Sequence, residues 1–288
     1  MRYSLLSRFQ GTLLGATLGS SLSGGQGQHQ QPSIWGKIAV LGVQSLIKLG
    51  RFDREDWRRI TKEAAEREAI ASTPESIIAT LPLALFSHEY KAKLRQNLFQ
   101  VASLWEYDAE LSDAALAIGY AIAQSLREKL NPATLIPKTI AFLEDSHTPL
   151  VQLLEQVQAL LEQGAGLEMA LSVLRREQSV ITYPIALAFY CFLSTPEDYR
   201  LSINRAARTA PLPQITCGLV GALSGAYNST AGIPLGWRLT ANTQEQLYIS
   251  PQLTDSLFAV WSGVCDASTS EAFYPSYAIA APRVIQPR

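Results

Sequence analysis

Apolar residues recur at three- and four-residue spacing along most of the chain, the pattern of helices that pack one face against a core. The segments "ESIIATLPLALF", "DAALAIGYAIAQSL" and "TPLVQLLEQVQALLEQG" show this spacing. In the last segment the apolar stripe ends at Leu161, and Gly164 follows as a stop signal. Alternating patterns are confined to "WRLT" and "LYIS" near residues 237–250, which predict a small hairpin or a loop. The pattern as a whole predicts an all-α fold.

The chain shows neither a low-complexity linker nor a repeat of fixed period, so one helical domain is predicted over residues 1–245. Residues 246–288 are predicted to form a C-terminal extension. Its end, "YPSYAIAAPRVIQPR", holds three prolines and lacks helical periodicity. This end is therefore expected to be an irregular arm.

Two segments carry glycine at four-residue spacing, which places the glycines on one face of a helix. The first stripe is Gly11, Gly15 and Gly19, and the second is Cys217, Gly221 and Gly225. Glycine inside a helix costs about 1 kcal/mol relative to alanine. Several glycines in register predict close backbone packing that offsets this cost. The two helices are expected either to be core elements only or to bring their ends together at a site.

Composition and charge fit a well-buried globular protein and exclude a basic nucleic-acid surface. Of 288 residues, 47% are hydrophobic and 17% charged, and the formal net charge is −1. The three cysteines are an odd number set among apolar or small residues, which favours buried reduced thiols: Cys191, Cys217 and Cys265.

Two apolar stretches could indicate secretion or insertion into a membrane. The first 25 residues begin basic and turn apolar like a signal peptide, but Arg8, Gln10 and the glycines interrupt them. The span between Glu177 and Glu197 carries no charge, yet Pro184 and its tyrosines fit a buried helix better than a membrane span. A soluble, cytoplasmic protein with no membrane partner is expected.

Three stretches in order resemble the ADP-ribosylglycohydrolase family over about residues 7–240. "RFQGTLLGATLGSSL" resembles the opening helix of that family, and "SLIKLGRFDREDW" resembles its second helix with the acidic turn after it. The long stretch from "YPIALAFYCFL" to "AGIPLGW" resembles its C-terminal signature. The resemblance implies a single-domain orthogonal helical bundle. It also implies a hydrolase that holds two magnesium or manganese ions with aspartates and a threonine and releases ADP-ribose.

The metal-ligand positions that the resemblance implies carry no carboxylate in this chain. The Gly-Asp pair of the opening helix falls on Gly19-Ser20. The Thr-Asp-Asp-Thr motif before the second helix falls on Ser33, Ile34, Trp35 and Gly36. The Asp-Thr-Asp-Thr motif before the C-terminal glycine helix falls on Pro213, Gln214, Ile215 and Thr216.

A shift in alignment does not restore the ligands, because Asp and Glu are absent between Met1 and Asp53 and again between Asp198 and Glu245. Hard divalent cations need several oxygen ligands, usually carboxylates. The sequence therefore predicts a member of this fold without metal, cofactor or catalytic residues. Its ancestral pocket is predicted to be lined by nine of these positions: Ser20, Ser33, Ile34, Trp35, Gly36, Pro213, Gln214, Ile215 and Thr216.

Three hypotheses follow for function. The first is a catalytically inactive binding or regulatory module for a nucleotide-like small molecule or a protein partner. The second is a hydrolase of the same fold that acts on an ADP-ribosyl or nucleotide compound by metal-independent chemistry, with four candidate groups: Gln214, Thr216, Ser20 and Ser33. The third is a structural or assembly protein. Trp35 is expected to face the old cleft, either as a plug or as a flat platform for a ligand.

Overall fold

A computed structural model describes residues 3–22, 33–65, 73–105, 109–144, 146–175, 179–209, 212–243 (side chains to 239) and 249–264. These residues form fourteen α-helices: α1 (Leu5–Leu22), α2 (Ile34–Leu49), α3 (Arg54–Ala65), α4 (Ser76–Ser87), α5 (Lys91–Ala102), α6 (Ala109–Leu126), α7 (Pro132–Leu143), α8 (Pro149–Glu162), α9 (Leu167–Leu174), α10 (Thr182–Leu193), α11 (Tyr199–Ala206), α12 (Pro213–Gly232), α13 (Leu235–Thr243) and α14 (Pro251–Ser262). No strand occurs in the described part of the chain. The predicted all-α fold is confirmed.

The centre of the fold is the antiparallel pair of helices α1 and α12, whose glycine stripes face each other. A methyl group added at Gly15 would lie 2.3 Å from the carbonyl oxygen of Gly221, so the two backbones are in direct contact. The same register brings together three pairs: Gly11 with Gly225, Gly15 with Gly221, and Gly19 with Cys217. The close backbone packing predicted from the glycine spacing is confirmed.

Other helices enclose this pair. Helix α12 also packs against α6, α10 and α11, and α1 also packs against α4, α6 and α14. Every residue of α4 and of α10 is buried. The uncharged span around α10 is thus a buried core helix, as its proline and tyrosines indicated. No helix in the described ranges combines the length and hydropathy needed to cross a membrane.

Arg8 joins three helices near the start of α1. Its guanidinium Nη1 donates to the carbonyl oxygens of Ser125 (3.0 Å), Ala226 (3.2 Å) and Tyr227 (3.1 Å). Its Nη2 lies 3.3 Å from a carboxylate oxygen of Glu128. The arginine of the opening motif is therefore a structural residue, which satisfies carbonyls at the ends of α6 and α12.

Helix α12 breaks near its C-terminus at Ser229, which has φ 59° and ψ −172°. A residue other than glycine rarely adopts this backbone conformation. Ser229 is also fully buried. The break lies against α1, since a methyl group at Gly11 would be 2.7 Å from the Ser229 carbonyl carbon. The close approach of the two helices thus extends to the break.

Helix ends follow the sequence signals in part. The stripe of α8 is buried and Gly164 has φ 62°, so the predicted stop is confirmed. The prediction of a hairpin or loop at "WRLT" is wrong, because these residues lie in α13. The apolar residues Leu235 and Leu239 lie one helical turn apart, so the segment has helical spacing once the two residues before "WRLT" are included. The first half of "LYIS" lies outside the described residues, and Ile249 and Ser250 immediately precede α14.

The C-terminal extension begins as helix α14, which packs against α1, α2 and α4. Phe258 of α14 meets Phe9 of α1 with ring centroids 5.2 Å apart. The first part of the extension is therefore joined to the core of the helical domain. The predicted irregular arm and Cys265 lie outside the described residues.

Candidate functional site

The end of α1 and the beginning of α12 meet, which brings two of the three predicted segments together. Gly19 faces Cys217, and a methyl group at Gly218 would lie 2.4 Å from Oγ of Ser20. Ser20 therefore lies over the first turns of α12, because Gly218 leaves room for its side chain. The ends of the two glycine helices therefore meet, and that they form a site there stays a prediction.

The first turn of α12 presents one exposed polar side chain and one buried hydroxyl. Pro213 occupies the first turn, Gln214 is exposed, and Ile215 is half-buried against the core. Thr216 is only 1% exposed, and its hydroxyl donates to the carbonyl oxygen of Leu212 at 3.2 Å. The hydroxyl that could ligate a metal is thus held against its own helix.

The second segment begins α2, and its side chains serve the fold. Ser33 caps α2, since its hydroxyl oxygen accepts from the backbone N–H of Gly36 at 3.2 Å. Ile34 is half-buried and Gly36 is buried. Trp35 is 1% exposed and meets Trp105 with ring centroids 4.9 Å apart in an edge-to-face arrangement. Trp35 is therefore a core side chain.

Trp105 is the residue that sequence reasoning missed. It follows helix α5, and its indole N–H donates to Thr61 Oγ1 of α3 at 3.1 Å. The tryptophan pair links the beginning of α2 to α3 and to the end of α5. The sequence around a single tryptophan outside a periodic segment does not indicate which residue it will contact. Only the tertiary structure therefore shows that Trp105 packs on Trp35.

Helix α4 connects the second segment with the junction of α1 and α12. It packs against α1, α2 and α12. A methyl group at Gly218 would be 3.3 Å from Cδ1 of Ile78, which lies on α4. A buried, largely apolar helix therefore borders the junction of α1 and α12.

The residues present do not fit a pair of divalent cations. The donor set at the implied positions consists of hydroxyls, one exposed amide and backbone groups, with apolar side chains between them. Within the described ranges, no three His, Cys, Asp or Glu side chains cluster in a way that could hold a metal ion. The isoleucine, tryptophan and proline side chains at these positions also make an isolated charge there costly.

Buried titratable groups near the helix pair are held in their neutral forms. Burial raises the pKa of the Cys191 thiol to about 12, with a smaller contribution from Cys217. Burial also raises the pKa of Tyr199, whose hydroxyl donates to the carbonyl oxygen of Gly15 at 2.8 Å. A neutral, enclosed thiol is a poor nucleophile, so Cys191 has a packing role.

Two cavities, of about 280 and 500 Å³, lie at other places in the fold. The smaller is bordered by α1, α12, α13 and α14, and the larger by α7, α8, α10 and α11. None of the nine predicted pocket positions lines either of them.

Comparison with known proteins agrees with this architecture. The sequence model of the family described as ADP-ribosylglycohydrolase matches residues 1–267. A solved structure described as an ADP-ribosylglycohydrolase-related protein complex superposes with a TM-score of 0.64, covering 89% of this chain and 99% of that one at 17% identity. No curated protein matches the sequence at a significant level. The solved structure shares the all-α fold of this chain, and the chain belongs to the ADP-ribosylglycohydrolase family.

Proposed function

We propose that this chain is a non-catalytic member of the ADP-ribosylglycohydrolase family that acts as a binding or regulatory module. The observation that carries the proposal is the absence of Asp and Glu from the three segments in which the family resemblance implies metal ligands. Two divalent ions orient the substrate and generate the nucleophilic water in metal hydrolases. A chain without their ligands has no group in the same place to supply that chemistry.

The packing of the same segments supports the proposal. Trp35 is enclosed against Trp105, and the Thr216 hydroxyl donates within α12. Ser33 is engaged as a helix cap. Each of these contacts stabilises the fold. Side chains that bound a metal ion instead could not make the same contacts.

The fold is nevertheless retained around an intact central helix pair. In the proposed role, the domain binds a nucleotide-like small molecule or a protein partner through its surface or its cavities. A buried Trp35 favours the plug over the ligand platform, so a binding surface is expected outside the ancestral cleft.

A hydrolysis assay tests the proposal. The purified full chain is incubated with ADP-ribosylated arginine and serine peptides in the presence of Mg²⁺ or Mn²⁺, and free ADP-ribose is measured. We expect no release above the rate of a protein-free control. Turnover that persists through repurification and disappears in Gln214→Ala would contradict the proposal and favour metal-independent hydrolysis by the same fold.

A further inference from the structure

The smaller cavity lies along α1 at a distance from the ancestral pocket. Gln10 and Leu14 contribute to its wall from α1, and Thr230 contributes from the end of α12. Ser20 is ten residues beyond Gln10 on the same helix, which corresponds to about 15 Å at the helical rise of about 1.5 Å per residue. The cavity is therefore separate from the junction where the implied metal ligands would lie.

Apolar side chains form much of the wall. Ile249 is buried and Leu14 is half-buried. Leu235 and Leu239 lie one turn apart on α13 and are 62% and 56% exposed, so they form an apolar rim. At about 280 Å³ the cavity is at the lower end of ligand-site volumes and suits a small molecule.

Three polar side chains of the wall are already engaged within the protein. Gln10 donates from Nε2 to a carboxylate oxygen of Asp255 at 2.6 Å. The hydroxyls of Thr230 and Ser7 are 2.6 Å apart, and the Thr254 hydroxyl donates to the Ser250 carbonyl oxygen at 3.2 Å.

Arg238 is different. It lines the cavity and is half-buried. No ion pair joins it to any acidic group in the described ranges, and no carboxylate is among the described residues that line the cavity. A guanidinium that lines a largely apolar cavity without a carboxylate partner is satisfied best by an anion.

We propose that this cavity binds a small amphipathic anion, with its carboxylate or phosphate group on the Arg238 guanidinium and its apolar body against Leu14, Leu235 and Ile249. The planar guanidinium matches either head group through paired N–H donors. The first turn of α14, with Pro251 and Thr254 at the cavity, adds a favourable partial positive charge. The proposal does not depend on the loss of catalysis, since the cavity involves none of the implied metal positions.

Calorimetric titration of the full chain with octanoate and with octyl phosphate tests the proposal, with octanamide as the uncharged control. We expect saturable binding of one or both anions and at least about tenfold weaker binding of octanamide. The tighter of the two anions identifies the preferred head group. Absence of saturable binding by both anions, or equally tight binding of octanamide, would overturn the proposal.

Variants assign the site. Arg238→Gln should weaken binding about tenfold or more, whereas Arg58→Gln, at an exposed position on α3, should leave it unchanged. Leu239→Trp places a large side chain at the exposed rim and should also reduce binding, and it decides the matter if Arg238→Gln does not fold. Binding that is unaffected by both cavity variants would show that the anion sits elsewhere.

Discussion

Gly221 and the carbonyl oxygen of Gly15 are so close that a methyl group at Gly221 would lie 2.0 Å from that oxygen. Two helices distant in sequence therefore meet through their backbones rather than through side chains. The Tyr199 hydroxyl donates to the same Gly15 oxygen, so α11 is joined to this contact. Glycine recurs every four residues because each turn of one helix touches the backbone of the other and leaves no room for a side chain.

Gly221→Ala should destabilise the protein by at least about 1–3 kcal/mol, because the added methyl group overpacks a backbone contact that cannot relax locally. For a chain of this size that corresponds to a fall in Tm of about 2–4 °C per kcal/mol. Gly236→Ala is the matched control, since a methyl group there meets nothing within 4 Å. A Tm for Gly221→Ala equal to that of the control would contradict the packing.

Trp35→Ala should cost about 3–5 kcal/mol of unfolding free energy, because the indole is enclosed and packs against Trp105. Trp35→Phe keeps an aromatic ring and should cost less. Both variants are compared by thermal melting with and without ADP-ribose. If Trp35→Ala kept the parent stability but lost a Tm increase caused by ADP-ribose, the indole would be a ligand platform instead.

His88 should make stability depend on pH. It is enclosed by the rings of Phe9 and Trp261 and its Nδ1 lies 2.7 Å from the Leu85 carbonyl oxygen. Burial lowers its pKa from 6.5 to about 4, and the nearby Arg127 acts in the same direction. A lowered histidine pKa means that the folded state favours the neutral ring. Stability is therefore complete above about pH 6.5 and falls by roughly 3 kcal/mol as the pH drops towards 4.

Urea unfolding at a series of pH values measures this effect as the difference between the parent and His88→Phe, which removes the titrating ring. His147→Gln is the control, because His147 is exposed. Carboxylates also titrate in this range, so the difference between parent and variant is the informative quantity. Parallel pH profiles for the two would rule out the His88 contribution.

Mn²⁺ should not bind stoichiometrically at the junction of α1 and α12, since hydroxyls alone cannot replace carboxylate ligands. Calorimetric titration with Mn²⁺ measures this directly, in parallel with Thr216→Ala. A site with better than millimolar affinity that disappears in Thr216→Ala would show that the remaining hydroxyls retain a metal centre.

Much of the fold follows from local patterns. The period of 3.6 residues is a property of the backbone, so apolar stripes such as Leu150–Leu160 mark helices without knowledge of their partners. The buried helix α10 was recognisable because uncharged residues with proline and tyrosines suit a protein core. The segment at Trp237 was predicted wrongly, because a short apolar alternation is compatible with both a strand and one face of a helix.

Part of the candidate site also follows from the sequence, and part follows only from the tertiary structure. The absence of Asp and Glu from residues 1–52 and 199–244 is a property of composition, so the sequence by itself determined that the implied carboxylate ligands are missing. It also determined that the two glycine helices require close backbone neighbours. Only the tertiary structure decided that these neighbours are each other, that Trp35 packs on Trp105, and that the Arg238 side chain borders a cavity. Such contacts join residues far apart in the chain, and they depend on how complementary surfaces fill space rather than on any local period.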